Sequence, residues 1–323
     1  MKKVNYIVLF LVLVFTSCKN EEWAFPDYDY QAVYFGHQYP VRTITFGEDQ
    51  FDTFMDNQGR FQIVATTGGV YEVEKDVTID VQVDNSLAQN LRFRAGENEI
   101  IPMPSNYYQL ASNRIIIPKG KLIGGVEVQL TDAFFADPLA YGRNYVIPLK
   151  AVSVANADSI LQGKHFTLYA VKYVNEFHGF YLRRGKDVIE GKNGNTSLNK
   201  TLTRRNQYVE RDEVKALNTK GRKVVELPLT FQNSTGTNVS TNLLLTFDNS
   251  DNCSISAAGG TFTATGSGKF VKKGEKNSWG QKDRDAVYLQ YTIDHPDMRI
   301  TATDTLVLRN RGVVMETFAP VAK

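Results

Sequence analysis

The sequence predicts an all-β protein of two domains in series: an N-terminal immunoglobulin-like β-sandwich, then an antiparallel β-barrel (lipocalin-like) or second β-sandwich. Three observations carry that expectation. Residues 77–84 (VTIDVQVD) alternate apolar and polar without a fault, as a strand does with one face in a core and the other in water. Short segments of the same kind recur from residue 32 to residue 173, between turns such as Gly68-Gly69 and Asp137-Pro138. Beyond Gly179 the residues Gly, Asn, Ser and Thr become frequent, and short turns join consecutive strands into a meander.

Taken in order, the chain starts with Lys2 and Lys3, an apolar run from Ile7 to Phe15, and small residues ending at Cys18. That is the layout of a secretory signal. The run is too short for a hydrocarbon core, which needs about 20 residues. A cysteine directly behind small residues resembles a bacterial lipobox, with Phe15 standing where such boxes carry Leu. The resemblance implies a signal peptide over residues 1–17 and a diacylated Cys18; an ordinary cleaved signal or an uncleaved anchor are the alternatives. Residues 18–30 then read as a lipid-anchored linker. Glu21 and Glu22 resemble the charged export signal of Bacteroidetes lipoproteins, where a plain solvated linker is the other reading. The expected location is the outer membrane, lipid-anchored and facing the extracellular side.

The first domain is expected over residues 31–173. Its strand candidates are residues 43–46, 61–65, 77–84, 114–117, 126–130, 145–147 and 166–170, with a turn or two of helix near residues 132–135. Some seven or eight short strands at such spacing fit a sandwich. The second domain is expected over residues 174–323. Residues 243–247, 253–256, 261–265, 269–271, 286–293 and 303–309 are its strands, with residues 266–268 (GSG) as a turn and residues 210–217 (ERDEVKAL) as its one helical stretch. Closing such a sheet into a barrel removes its edges.

Of 323 residues, 37 are Lys or Arg and 35 are Asp or Glu. Removing the signal takes away Lys2 and Lys3 and no acid, so the mature chain is neutral. A neutral chain has no general attraction for nucleic acid, and no nucleic-acid partner is expected. Cys253 has no partner once Cys18 is acylated, and the four histidines (His37, His165, His178, His295) show no metal-ligand spacing. No metal and no cofactor is expected.

Four stretches of the first half resemble the Bacteroidetes lipoprotein domain called domain of unknown function 1735: residues 39–44 (YPVRTI), 69–72 (GVYE), 104–108 (PSNYY) and 132–138 (DAFFADP). Residues 171–175 (VKYVN), 178–185 (HGFYLRRG), 284–289 (RDAVYL) and 304–309 (DTLVLR) resemble its frequent companion, domain of unknown function 4361. The resemblance implies a surface lipoprotein of a polysaccharide-utilisation system that binds glycans beside an outer-membrane transporter. It supplies no catalytic or ligand residues.

Those have to come from the side chains themselves. Glycoside hydrolysis needs two carboxylates facing each other across a cleft. Asp283, Asp285, Glu210, Asp212 and Glu213 are available but sit in no distinctive pattern, and solvated surface acids account for them. No Gly-x-Ser-x-Gly elbow or phosphate-binding glycine loop is present. Residues 248–252 (DNSDN) have the oxygen-rich look of a calcium loop, but a hairpin turn explains them better. Glycan capture asks for less: aromatic faces for the C–H patches of sugar rings, and polar side chains for their hydroxyls. Residues 276–283 (KNSWGQKD) fit best, with Trp279, Asn277, Gln281 and Asp283; Tyr208 behind Asn206-Gln207 is second, and Tyr107 and Tyr108 behind Asn106 are third. For Trp279 the competing reading is a ring folded down onto the core. The sequence thus predicts a non-catalytic glycan-binding lipoprotein, with a polysaccharide or oligosaccharide, an outer-membrane transporter complex and the membrane as partners. A glycoside hydrolase or accessory enzyme is the first alternative, an adhesin-like structural protein the second.

Overall fold

The computed structural model describes residues 28–323; the signal over residues 1–17, Cys18 and the linker as far as residue 27 lie outside the described residues. Twelve strands come first: β1 (Ala32–Tyr34), β2 (Pro40–Thr45), β3 (Arg60–Gly68), β4 (Val77–Val83), β5 (Leu91–Arg92), β6 (Ile101–Pro102), β7 (Tyr108–Leu110), β8 (Arg114–Ile117), β9 (Ile123–Leu130), β10 (Tyr145–Ala155), β11 (Ser159–Ile160) and β12 (Phe166–Val174). All but β5 pair in one sheet, in the order β11-β1-β3-β9-β8-β4-β10-β12-β2, with β6 on β10 and β7 on β9. Alternation decides what faces inward: Val77, Ile79 and Val81 of β4 meet Phe61 and Ile63 of β3 and Ile147 and Leu149 of β10 in one core. The short helix Asp132–Ala136 adds Phe134 and Phe135, whose rings pack on Tyr173.

A second sheet begins at β13 (Gly179–Gly191), followed by β14 (Lys200–Arg204), β15 (Glu213–Gly221), β16 (Val224–Gln232), β17 (Asn238–Phe247), β18 (Asn252–Ala257), β19 (Thr263–Glu275), β20 (Arg284–Asp294) and β21 (Met298–Asn310). Each pairs antiparallel with the next from β15 to β21, and β21 pairs back onto β13 along its length. The second domain is therefore a closed antiparallel barrel of eight strands, with β14 as an extra strand along the far half of β13. Side chains fill its interior, among them Leu217, Leu227, Leu243, Leu289 and Ile300.

Two elements differ from expectation. Residues 266–268 are no turn, because β19 runs straight through them. A Cβ at Gly266 would stand 2.4 Å from the Gln290 carbonyl oxygen, and one at Gly268 2.5 Å from that of Tyr288. These glycines let β19 and β20 approach closely. Residues 210–217 are not helical: a 3-10 turn at Val209–Arg211 leads into β15, whose pairing with β13 and β16 overrides a helix-forming sequence. Residues 248–252 form a hairpin turn, Asp248 accepting from the backbone N–H groups of Ser250 and Asn252.

The chain end returns to the first sheet, although the sequence reading left it with the second domain. Strand β22 (Glu316–Thr317) pairs with β2, and β23 (Val321–Ala322) with β5. Phe318 between them packs on Phe93 and Tyr39 over the outer face of β10 and β12. At the crossing into this tail Arg311, 5% exposed, donates to four backbone carbonyls: Phe46 and Glu48 of the first half, and Asn175 and His178 of the connection.

Candidate functional site

The loop singled out in the sequence joins β19 to β20 at the barrel end that meets the first domain. It is tightly braced. Asp283 accepts from the Asn277 N–H at 3.0 Å and from Lys276 Nζ at 3.0 Å, which holds its carboxyl below the usual range. Ser278 and Lys282 close the base, and Gln281 N–H donates to the Ser278 carbonyl. Three residues here lie in the left-handed region: Asn277 (φ 45°), Gly280 (φ 69°) and Gln281 (φ 55°). For the two that carry side chains, such backbone strain costs on the order of 1–3 kcal/mol each and persists only where the surroundings enforce it.

Trp279 does not stand free. Its ring is half-buried, its Nε1–H donates to the Leu308 carbonyl at 3.1 Å, and the Arg284 guanidinium lies 3.7 Å from the ring centroid. Arg284 Nε–H also donates to the Trp279 carbonyl, and burial lowers the pKa of Arg284. The indole thus anchors the loop, with one face already carrying a cation. The side chains of Asn277 and Gln281, two residues to either side of Trp279 in the chain, are exposed and meet no partner among the described residues. Asp283, by contrast, is occupied as the brace.

Tyr208 is 48% exposed, with the Arg211 guanidinium 5.3 Å from its ring centroid. Its loop is tied to β13 by Asp212, which accepts from Arg184 and from the Asn206 N–H. Register separates this loop from the first. Leu308, which holds Trp279, lies on β21 along one edge of β13, whereas the loop of Tyr208 runs between β14 and β15 along the other. Trp279, Asn277, Gln281 and Asp283 therefore share one loop, and Tyr208 stands apart. Tyr107 donates to Asp137 and packs on Phe134, and Tyr108 is half-buried, so both serve the first core.

Two concavities went unnoticed in the sequence. A groove of about 610 Å³ crosses the first sheet between β2, β12 and β3, walled by Val313, Val314 and Met315 of the returning tail. It is apolar and draws its walls from segments far apart in the chain. A cleft of about 360 Å³ lies between the two sheets, lined by Phe46, Gly47, Glu48, Asn57, Glu176, Arg222, Lys223 and Lys272. The basic β15–β16 turn, residues 220–223 (KGRK), is the only part of the cleft that the sequence could have flagged.

Comparisons with known proteins place the chain. A family profile for a domain of unknown function, number 5627, matches residues 176–312, where residue resemblance had pointed to number 4361. A second profile, described as an N-terminal domain, matches residues 28–158. A solved structure of unknown function from Bacteroides ovatus is 43% identical, with 92% of this chain and 100% of that one covered and a TM-score of 0.87. The chain belongs to that protein's family. Other matches are more distant. A second Bacteroides ovatus protein of unknown function is 12% identical (90% and 99% covered, TM-score 0.44). A candidate carbohydrate binding protein from Bacteroides ovatus is 15% identical (90% and 99% covered, TM-score 0.30). At those TM-scores neither bears on what this family does. Among curated proteins none matches the sequence.

Proposed function

We propose that this family member is a non-catalytic glycan-binding lipoprotein, held at the outer membrane through Cys18 and passing polysaccharide to a transporter. The observation that supports this reading most is the strained, braced loop of residues 276–283. It carries exposed Asn277 and Gln281 and a half-exposed indole in one loop of the barrel, and loop strain of this kind clusters at binding sites. Sugar hydroxyls find amide donors and acceptors there, and the half-exposed indole adds apolar ring surface. The site holds a chain without cleaving it. The lipobox-like run ending at Cys18 supports the anchor, and the signal-like residues 1–17 support export.

The test is retention on native gels cast with polysaccharide. Because Trp279 also anchors its loop, Trp279→Ala is paired with Asn277→Ala/Gln281→Ala, which removes only the free amides. Both variants are expected to lose about tenfold in affinity, the size of one or two lost hydrogen bonds to ligand, without a change in melting temperature for the amide pair. Unchanged retention of the amide pair removes the loop from the site.

A further inference from the structure

Arg222 is placed unlike any other cation of the described chain. It leaves the β15–β16 turn of the barrel and lies across the first domain, its guanidinium carbon 4.3 Å from the Phe46 ring centroid and 4.6 Å from that of Phe135. Both rings are buried and pack edge-on at 5.2 Å, so the two stacking surfaces are fixed by the first core. Cation–π contact holds the guanidinium against the two rings without using an oxygen acceptor, so the N–H groups not aimed at the rings stay available. Those donors meet no acceptor among the described residues, and Arg222 lines the cleft between the sheets. The neighbouring cations differ. Lys223 is engaged with Glu176 at 2.7 Å, whereas Lys272 is only loosely paired with the exposed Glu48 at 3.9 Å. Such an exposed pair is worth little and opens readily.

We infer that this interdomain cleft binds an anionic substituent of a glycan, a carboxylate or sulfate borne on a sugar ring. The in-plane N–H groups of Arg222 match a carboxylate or sulfate in the two-bond fashion open to guanidinium, and Lys272 turns from Glu48 to add a second charge. At about 360 Å³ the cleft is at the small end of ligand sites and suits one charged residue of a longer chain. Lys272 stands on β19 just ahead of the braced loop, so a chain crossing that loop reaches the cleft along the same strand. The inference rests on the glycan-binding reading and deepens it to acidic polysaccharides.

The experiment compares polygalacturonate with its fully methyl-esterified form, which keeps the backbone and removes the charge, and adds carrageenan as the sulfated arm. Wild-type protein is expected to retain at least one acidic polymer at least tenfold more tightly than the esterified chain, and the retaining arm shows whether carboxylate or sulfate is read. Arg222→Ala is expected to cost about tenfold on the acidic polymer only, Arg222→Lys to restore part of it, and Lys200→Ala, at the opposite end of β13, to change nothing. Equal retention of charged and esterified chains, or undiminished retention by Arg222→Ala, overturns the inference and leaves the glycan-binding reading standing. A lower melting temperature of Arg222→Ala with no change in charge preference shows a purely structural arginine and overturns it too. Retention of no polysaccharide, charged or neutral, overturns both.

Discussion

The two sheets close over different interiors. In the first, aliphatic and aromatic side chains fill the core, and the buried carboxylate Asp56 sits at its margin, met by Arg42 and the Thr45 N–H. In the barrel, charges lie inside. Asp304 accepts from Arg183 Nε at 2.9 Å, from Arg204 at 2.6 Å and from the Tyr291 hydroxyl at 2.6 Å, while Asp187 pairs with Arg204 across the same layer. Two arginines answer two aspartates, so the layer is neutral. Burial opposes the charge on Arg183, yet Tyr291, Asp304 and Asp187 around it raise its pKa above the ordinary value. Gly185 makes the room, since a Cβ there would stand 2.0 Å from the Thr303 carbonyl oxygen and 2.7 Å from Asp304. Alternation alone sets the register of the first sheet over its apolar core, whereas the barrel adds a buried ionic layer to that constraint. A one-residue slip of β21 would turn Asp304 outward and strand both arginines, so the ionic layer ties β13, β14, β20 and β21 to one pairing.

The sharpest way to break that contrast is Asp304→Ala, which leaves Arg183 and Arg204 short of an acceptor inside the barrel. It is expected to cost about 3–5 kcal/mol in urea unfolding, as loss of one partner from a buried ionic cluster does. A cost below about 1 kcal/mol would show a layer that the barrel does not need.

Next in size is the joint between the halves. Arg311→Ala removes four charge-assisted bonds to backbone carbonyls, each worth roughly 1.5–3 kcal/mol at most in isolation, and partial replacement by water leaves an expected cost of about 2–3 kcal/mol. Calorimetry should then resolve separate unfolding of the first sheet and the barrel. A single transition at an unchanged temperature would mean that Arg311 does not couple them.

Per pH unit, the pH dependence is smaller still. His178 at the joint is half-buried, accepts the Thr219 N–H at Nδ1 and lies near Arg311; desolvation first, and then Arg311, lower its pKa from 6.5 to about 4. The unfolded chain therefore binds the proton first as pH falls. Stability is full above pH 6.5 and declines towards about pH 4, at no more than about 1.4 kcal/mol per unit. His178→Asn, which keeps an acceptor but cannot titrate, should flatten that part of the pH–stability curve; an unchanged slope would place its origin elsewhere.

How much of this could be read from the sequence follows the range of the interactions. Alternation at residues 77–84 is local, and β4 sits there as read. The hairpin at residues 248–252 is also local, and the chain turns there. Gly266 and Gly268 misled because their function is close approach to β20, which the chain reaches only later. Residues 210–217 misled because β13, far upstream, supplies their partner. In the loop of residues 276–283, composition pointed to an aromatic among polar groups, but not to the descent of Trp279 onto Leu308 or to the bracing role of Asp283. The cleft was the least visible, since Phe46, Phe135 and Arg222 meet only through tertiary folding.

Isothermal titration with defined oligosaccharides, followed by sizing of the recovered saccharide, tests the central claim most directly. Saturable binding with every saccharide returned at its original length is the predicted result. Shortened products would make the protein an enzyme, and no saturable binding to any saccharide would leave the braced loop without a ligand.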